Sequence, residues 1–218
     1  MTTTAVKPSA GTRTPRRTSR GYFVWLTVAG LLCAAMTAYV AVRYLPPDLD
    51  STEGIARGLV HHVLLVAHIL TATIAVAIGL AQFWPWLRNN HPRVHRLVGR
   101  LYLFAGVLPS AVFGVVVANL SLNGLAASAP LSLLSVLWFV TAVQGFRAAR
   151  ARDYRAHRVW MIRNFALTAA AITGRLWGLT LAVTIGGELV FATANWLSFV
   201  VNLLVAEWWI QRRGLKAA

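Results

Sequence analysis

Long apolar stretches separated by short polar segments dominate the pattern of this chain. They run over about 22–44, 60–87, 97–119, 130–148, 159–183 and 189–210. A helix needs roughly 20 mostly apolar residues to cross a bilayer. The pattern therefore predicts an all-α, polytopic membrane helix bundle with six transmembrane helices, which we number helix 1 to helix 6. The transmembrane domain would cover 21–212, between a disordered tail over 1–20 and a short tail over 213–218.

Basic residues predict the orientation of the bundle. Most of the 21 lysines and arginines precede helix 1, lie between helices 2 and 3 or between helices 4 and 5, or follow helix 6. Cytoplasmic loops are enriched in Lys and Arg. The distribution therefore predicts a multi-pass protein of the cell membrane with both termini in the cytoplasm.

The hydrophobic and charged fractions of the chain indicate which partners to expect. The chain is 57% hydrophobic and only 12% charged, whereas soluble domains contain about 25% charged residues, so we expect no separate soluble domain. The net charge of +15 would by itself suggest nucleic acid binding. Because cytoplasmic loops account for the basic residues, we expect the lipid bilayer as the partner and no nucleic acid.

Polar and ionisable side chains inside a span are costly and mark candidate functional positions. Helix 2 carries His61, His62, His68 and Gln82. His61 and His68 lie within about 20° of each other on a helical wheel, so they share one face. His68 is interpreted either as a packing residue that bonds a neighbouring helix or as a ligand or proton carrier.

Helix 3 begins with a second polar motif. His95, Gly99 and Tyr102 are spaced so that they share a face, and Arg96 and Arg100 lie on an adjacent face. This motif is interpreted either as part of a cofactor site or as an interfacial anchor that holds phospholipid head groups.

Helix 5 carries the longest polar stripe. His157, Asn164, Thr168 and Arg175 fall within about 20° of one line along the helix, and we expect them to face the interior of the bundle. Arg175 is expected in the outer half of the membrane, paired either with Glu188 or with an anionic group of a ligand.

Three segments of the chain resemble a bacterial family of predicted membrane proteins, the domain of unknown function 2306. The matching segments are the helix 2 stretch from His68 to Phe83, the stretch from His95 to Tyr102, and the stretch from Asp153 to Arg163. The resemblance covers roughly residues 60–180 and implies the fold rather than an activity.

The inward-facing histidines also resemble, more loosely, membrane haem proteins of the cytochrome b561 type. That resemblance implies haem b held between helices 3 and 5, with His95 and His157 as iron ligands. The propionates would pair with arginines of the same helices, namely Arg96, Arg100, Arg158 and Arg163. Tyr102 and His68 complete the candidate cofactor-binding residues. His68 lies about 18 Å or more from His95 and His157 along the membrane normal, too far to share a haem with them. The two-haem pattern is therefore not reproduced.

Two functions follow as hypotheses. In the first, haem b transfers electrons to or from a quinone or another redox partner. In the second, an intramembrane cavity lined by helices 2, 3 and 5 binds or transports an anionic or amphipathic small molecule. Its candidate lining residues are His68, Gln82, Asn164, Thr168 and Arg175. A metal-dependent enzyme is disfavoured because few carboxylates lie near the histidines, and the sequence leaves enzymatic activity and oligomeric state open.

Overall fold

The computed structural model describes residues 20–44, 58–120, 124–187 and 189–215. Within these ranges the chain forms helices and no strand, and six helices are long and apolar enough to cross a membrane. They are helix 1 (Arg20–Tyr44), helix 2 (Gly58–Phe83), helix 3 (Pro92–Leu120), helix 4 (Gly124–Arg150), helix 5 (Tyr154–Thr184) and helix 6 (Leu189–Arg212). The predicted all-α bundle of six membrane helices is confirmed. Most of the predicted N-terminal tail, and Glu188, lie outside the described residues.

The end of the bundle at which helix 1 begins is rich in arginine, and we call it the basic end. Helix 5 begins there with Asp153, whose carboxylate accepts hydrogen bonds from the backbone N–H groups of Arg155 and Ala156, a helix N-cap. The Arg155 guanidinium also donates to the carbonyl of Gly214, at 2.7 Å. The chain therefore enters helix 1 and leaves helix 6 at the same end.

Helix 2 stops four residues before its predicted limit, at a proline. Its last turn, Leu80–Phe83, is a 3₁₀ helix, and Trp84 is extended with φ −74° and ψ 113°. Proline disfavours helical backbone in the residue before it, and Pro85 opens a separate short helix, Pro85–Asn90. The break turns the chain across the basic end and delivers it to helix 3.

Helix 3 contains a wide turn beside helix 2. Residues Leu101–Val107 are π-helical, a form common at functional sites. Gly106 brings the two helices together, because a Cβ on it would lie 3.0 Å from the backbone nitrogen of Ala75. Tyr102, within the wide turn, is directed into the buried centre of the bundle.

Helix 1 lies at the edge of the bundle. Only Cys33 and Val40 are buried along it. It rests mainly on helix 2, where Gly30 approaches Leu80 and the Tyr22 hydroxyl donates to the Phe83 carbonyl. The core is formed by helices 2 to 6, and helix 1 closes one side of it.

We predict that Gly106→Leu destabilises the bundle by about 1–3 kcal/mol, because the added side chain must force helices 2 and 3 apart. Thermal unfolding of the purified protein in a neutral detergent measures the effect. Gly21→Leu is the matched control, since nothing lies within 4 Å of a Cβ at Gly21. Equal melting temperatures for the two variants would contradict the predicted close contact.

Candidate functional site

A cavity of about 740 Å³ opens in the half of the bundle away from the basic end. All six helices line it, from Tyr44 and His61 near the helix ends to Thr168 and Trp138 at its floor. Its wall is mostly apolar, with a few polar groups. Pockets of about 300–1,000 Å³ with this composition suit small organic ligands.

His68 lines this cavity and is held by helix 3. Its Nδ1 lies 2.8 Å from the carbonyl oxygen of Ser110 and 3.0 Å from the Ser110 hydroxyl. Because a carbonyl can only accept, Nδ1 carries the hydrogen and the neutral ring leaves Nε2 as an acceptor. Nε2 makes no hydrogen bond among the described residues. Ser110 therefore holds the ring against helix 3, and Nε2 remains without a partner among the described residues.

A glycine on helix 3 makes room for this ring. A Cβ on Gly114 would lie 3.1 Å from Nδ1 and Cε1 of His68, and 2.7 Å from the hydroxyl oxygen of Ser135. Any larger residue would displace the histidine or the serine. His68 thus packs closely on helix 3 while it also borders the cavity.

Arg175 brings a positive charge to the same cavity. It donates to the Ala171 carbonyl at 2.5 Å, and its guanidinium lies 5.6 Å from the ring centroid of Tyr39 on helix 1. Within the described part of the chain, no carboxylate lies within 4 Å of it. The predicted pairing with Glu188 falls outside the described residues. Arg175 therefore offers unneutralised charge where an anion would be stabilised.

A buried hydrogen-bond network forms the floor of the cavity. The Tyr102 hydroxyl lies 2.6 Å from Asn164 Oδ1 and 2.6 Å from the Thr168 hydroxyl. Because Asn164 Oδ1 can only accept, Tyr102 donates to it and Thr168 donates to Tyr102. The indole N–H of Trp138 donates to Thr168 at 3.0 Å. Helices 3, 4 and 5 are joined by these bonds.

Asn164 completes the network toward helix 4. Its Nδ2 donates to the Trp138 carbonyl at 3.0 Å and to the Thr141 hydroxyl at 2.8 Å. Tyr102 is 1% exposed and Asn164 0%, and neither side chain lacks a partner. Asn164 therefore does not line the cavity; its polar atoms serve to hold three helices together. Thr168 belongs both to the network and to the cavity wall.

The remaining predicted residues lie toward the basic end. Gln82 does not line the cavity; its amide packs on Gly99, one turn beyond His95. His157 Nδ1 lies 2.9 Å from the Gly145 carbonyl, which again leaves Nε2 as the free ring nitrogen. His95 has a buried Nδ1 without a hydrogen-bond partner. Arg96, Arg100 and Arg158 are exposed, and ligation of haem b by His95 and His157 stays a prediction.

Arg163, predicted as a partner of a haem propionate, instead forms a bidentate ion pair with Glu207 on helix 6. Arg163 Nε lies 2.5 Å from Glu207 Oε1, and Nη2 lies 3.0 Å from Oε2. The guanidinium also lies over the ring of Trp160 at 4.8 Å. The sequence feature that could have indicated this ion pair is the single glutamate, Glu207, within the apolar stretch of helix 6.

Helices 4 and 6 also contribute polar groups that the sequence patterns did not single out. Trp138 and Thr141 supply donors and acceptors to the network. Asn202 of helix 6 donates to the Ala166 carbonyl at 2.9 Å and to Thr173 at 3.0 Å. These side chains carry no charge, so only their position in an apolar span could have indicated them.

We predict that Tyr102→Phe lowers the stability of the protein by about 1–3 kcal/mol, because Asn164 Oδ1 loses its donor in a buried site. Thermal unfolding in detergent measures this loss. Tyr154→Phe removes the same hydroxyl from a side chain that is 66% exposed, and it should leave the melting temperature nearly unchanged. An equal effect of the two substitutions would argue against the network.

Comparison with known proteins places the chain in a family. The profile of the family described as predicted membrane protein (DUF2306) matches residues 65–210, which include His68, Arg175, the buried network and both His95 and His157. Among curated proteins and solved structures none matches the chain, and the resemblance to cytochrome b561 receives no support. The protein belongs to the DUF2306 family of predicted membrane proteins.

Proposed function

We propose that the protein binds an amphipathic small molecule with an anionic head group in the cavity between its six helices. The observation that carries this proposal is that one mostly apolar cavity is lined by both Arg175 and His68. A cation and a neutral acceptor suit a head group that contains both anionic oxygen and a hydrogen-bond donor.

The lack of a described counter-ion favours recognition of an anion by Arg175. Arg175 has no described carboxylate within ion-pair distance, and its one hydrogen bond to the described residues goes to a backbone carbonyl. In a membrane interior, an unpaired arginine costs several kcal/mol. An anionic ligand offsets this cost, so the cavity discriminates between a charged head group and a neutral one.

An apolar groove adjoins the cavity and supports the amphipathic character of the ligand. It has a volume of about 690 Å³ and runs between helices 1 and 2 from Thr37 toward Phe23 and Trp84. Thr37 lines both the groove and the cavity. From Thr37 to Phe23 the groove extends about 21 Å, at 1.5 Å per residue. A head group near Arg175 would therefore leave room for a long hydrocarbon tail along helix 1.

The buried network sets a condition for transport. Trp138 and Thr168 close the cavity toward the basic end. A molecule that enters from the open side cannot cross unless the bonds of Tyr102 and Asn164 break. The arrangement thus favours binding or presentation of the molecule, and transport would require a second arrangement of helices 3, 4 and 5.

We predict that Arg175→Gln lowers the affinity for decanoate by about tenfold or more, the loss of one charge-assisted interaction. The affinity for decanol, which has a similar tail and no charge, should change little. Isothermal titration of the purified protein in a neutral, non-alkyl-carboxylate detergent gives both constants.

Arg150→Gln is the matched control, because Arg150 is an exposed arginine at the end of helix 4. It should leave both affinities unchanged. A wild-type protein that binds decanoate no better than decanol, or equal losses in the two arginine variants, would overturn the proposal.

A further inference from the structure

Two polar atoms near the basic end are buried without a hydrogen-bond partner: Gln82 Nε2 and His95 Nδ1. A buried donor without a partner costs about 1–3 kcal/mol, and such groups are rare in native proteins. In the described residues these two belong to neighbouring elements, the 3₁₀ turn of helix 2 and the first turns of helix 3.

The Gln82 side chain packs against the face of helix 3 that carries His95. The Gln82 carbonyl oxygen would be 3.1 Å from a Cβ on Gly99, so the amide lies against this glycine. His95 precedes Gly99 by four residues, about 6 Å along the helix, on the same side. Gln82, His95 and Gly99 thus lie together on this side of helix 3, and we call the place that they border the recess.

Arginines from several segments lie near this recess. Arg88 and Arg96 both act electrostatically on His95. Arg88 and Arg158, together with Arg213, also lie within electrostatic range of the Tyr22 hydroxyl. Partial burial lowers the pKa of Arg88 from its ordinary value, and the charge of Arg158 lowers it further. These arginines come from helices 3 and 5, from the short helix Pro85–Asn90 and from the segment that follows helix 6.

In the described part of the chain, the carboxylates do not neutralise these arginines. Asp153 caps its own helix, and Glu207 is engaged by Arg163. The ion pair of Arg163 and Glu207 is the one salt bridge within the described residues. The recess therefore combines unused hydrogen-bonding groups with uncompensated cations.

We propose that this recess binds a phosphate-type oxyanion through Gln82 and His95, with Arg88 and Arg158 supplying charge. The Gln82 amide N–H, the guanidinium groups and the His95 imidazole in its Nδ1–H tautomer are all donors, the set that phosphate oxygens accept. A metal cation does not fit, because the cluster is already positive and contains no carboxylate. The oxyanion belongs either to a membrane lipid head group or to a soluble phosphoryl compound. This site is separate from the cavity at Arg175.

The test measures stabilisation by two probes. Purified full-length protein is melted in a neutral detergent with and without inorganic phosphate, at an ionic strength matched with chloride. In parallel, it is melted in nanodiscs of phosphatidylcholine with and without phosphatidylglycerol. A bound probe raises the melting temperature of the folded protein by mass action. The variants are Gln82→Met, His95→Phe and the control Arg150→Gln.

We expect at least one probe to raise the melting temperature of the wild type and of Arg150→Gln. Its affinity should fall by about tenfold in Gln82→Met and in His95→Phe, since each removes one hydrogen bond to an anion. Without any probe, Gln82→Met should be as stable as the wild type or more stable, because it removes an unpaired buried group. This last result separates a lost site from a misfolded variant.

Each outcome has a distinct meaning. Stabilisation by inorganic phosphate identifies a site for a soluble phosphoryl compound, and stabilisation only by phosphatidylglycerol identifies a lipid head-group site. Equal responses of wild type, Gln82→Met and His95→Phe to both probes would overturn the proposal. A haem absorption band in the purified wild type that His95→Phe removes would also overturn the proposal, because His95 would then bind haem.

Discussion

The hydrogen-bonding demand of Asn164 is the constraint on which the rest of this bundle depends. Its amide is fully buried among apolar helices, where water cannot substitute for a missing partner. Three groups on two other helices meet this demand: the Tyr102 hydroxyl, the Thr141 hydroxyl and the Trp138 carbonyl. Because each bond has directional requirements, helices 3, 4 and 5 are fixed in register and in rotation by one side chain.

This constraint explains the local irregularities around it. The π-helical turn Leu101–Val107 aims Tyr102 at helix 5, and Gly79 leaves the space for its ring, since a Cβ there would lie 2.8 Å from Tyr102 Cε2. Helix 5 is interrupted at Ala169, directly after Thr168. The departures from regular helix thus cluster where the network needs them, as expected where local geometry serves a specific contact.

The sequence was sufficient to predict the helices but not the assignment of polar residues to separate sites. Apolar length alone determines where a chain can span a bilayer, so the six helices were predictable. The stripe of His157, Asn164, Thr168 and Arg175 was predictable from periodicity. The division of this stripe among separate sites was not predictable. His157 contacts Gly145, Asn164 and Thr168 join the network, and Arg175 lines the cavity. Which neighbour meets each side chain depends on helix packing, and a one-dimensional pattern does not contain it.

The network also separates the two ends of the protein chemically. On one side lie His68 and Arg175 in a wide, mostly apolar cavity; on the other lie Gln82 and His95 among arginines. Thr168 borders the first region, and the Tyr102 hydroxyl that it contacts belongs to the same helix 3 as His95. An event that turned Tyr102 out of the network would leave Asn164 Oδ1 unpaired at a cost of about 1–3 kcal/mol. Any rearrangement of helices 3, 4 and 5 has to meet that cost, so the network that holds these helices together also keeps the two ends apart.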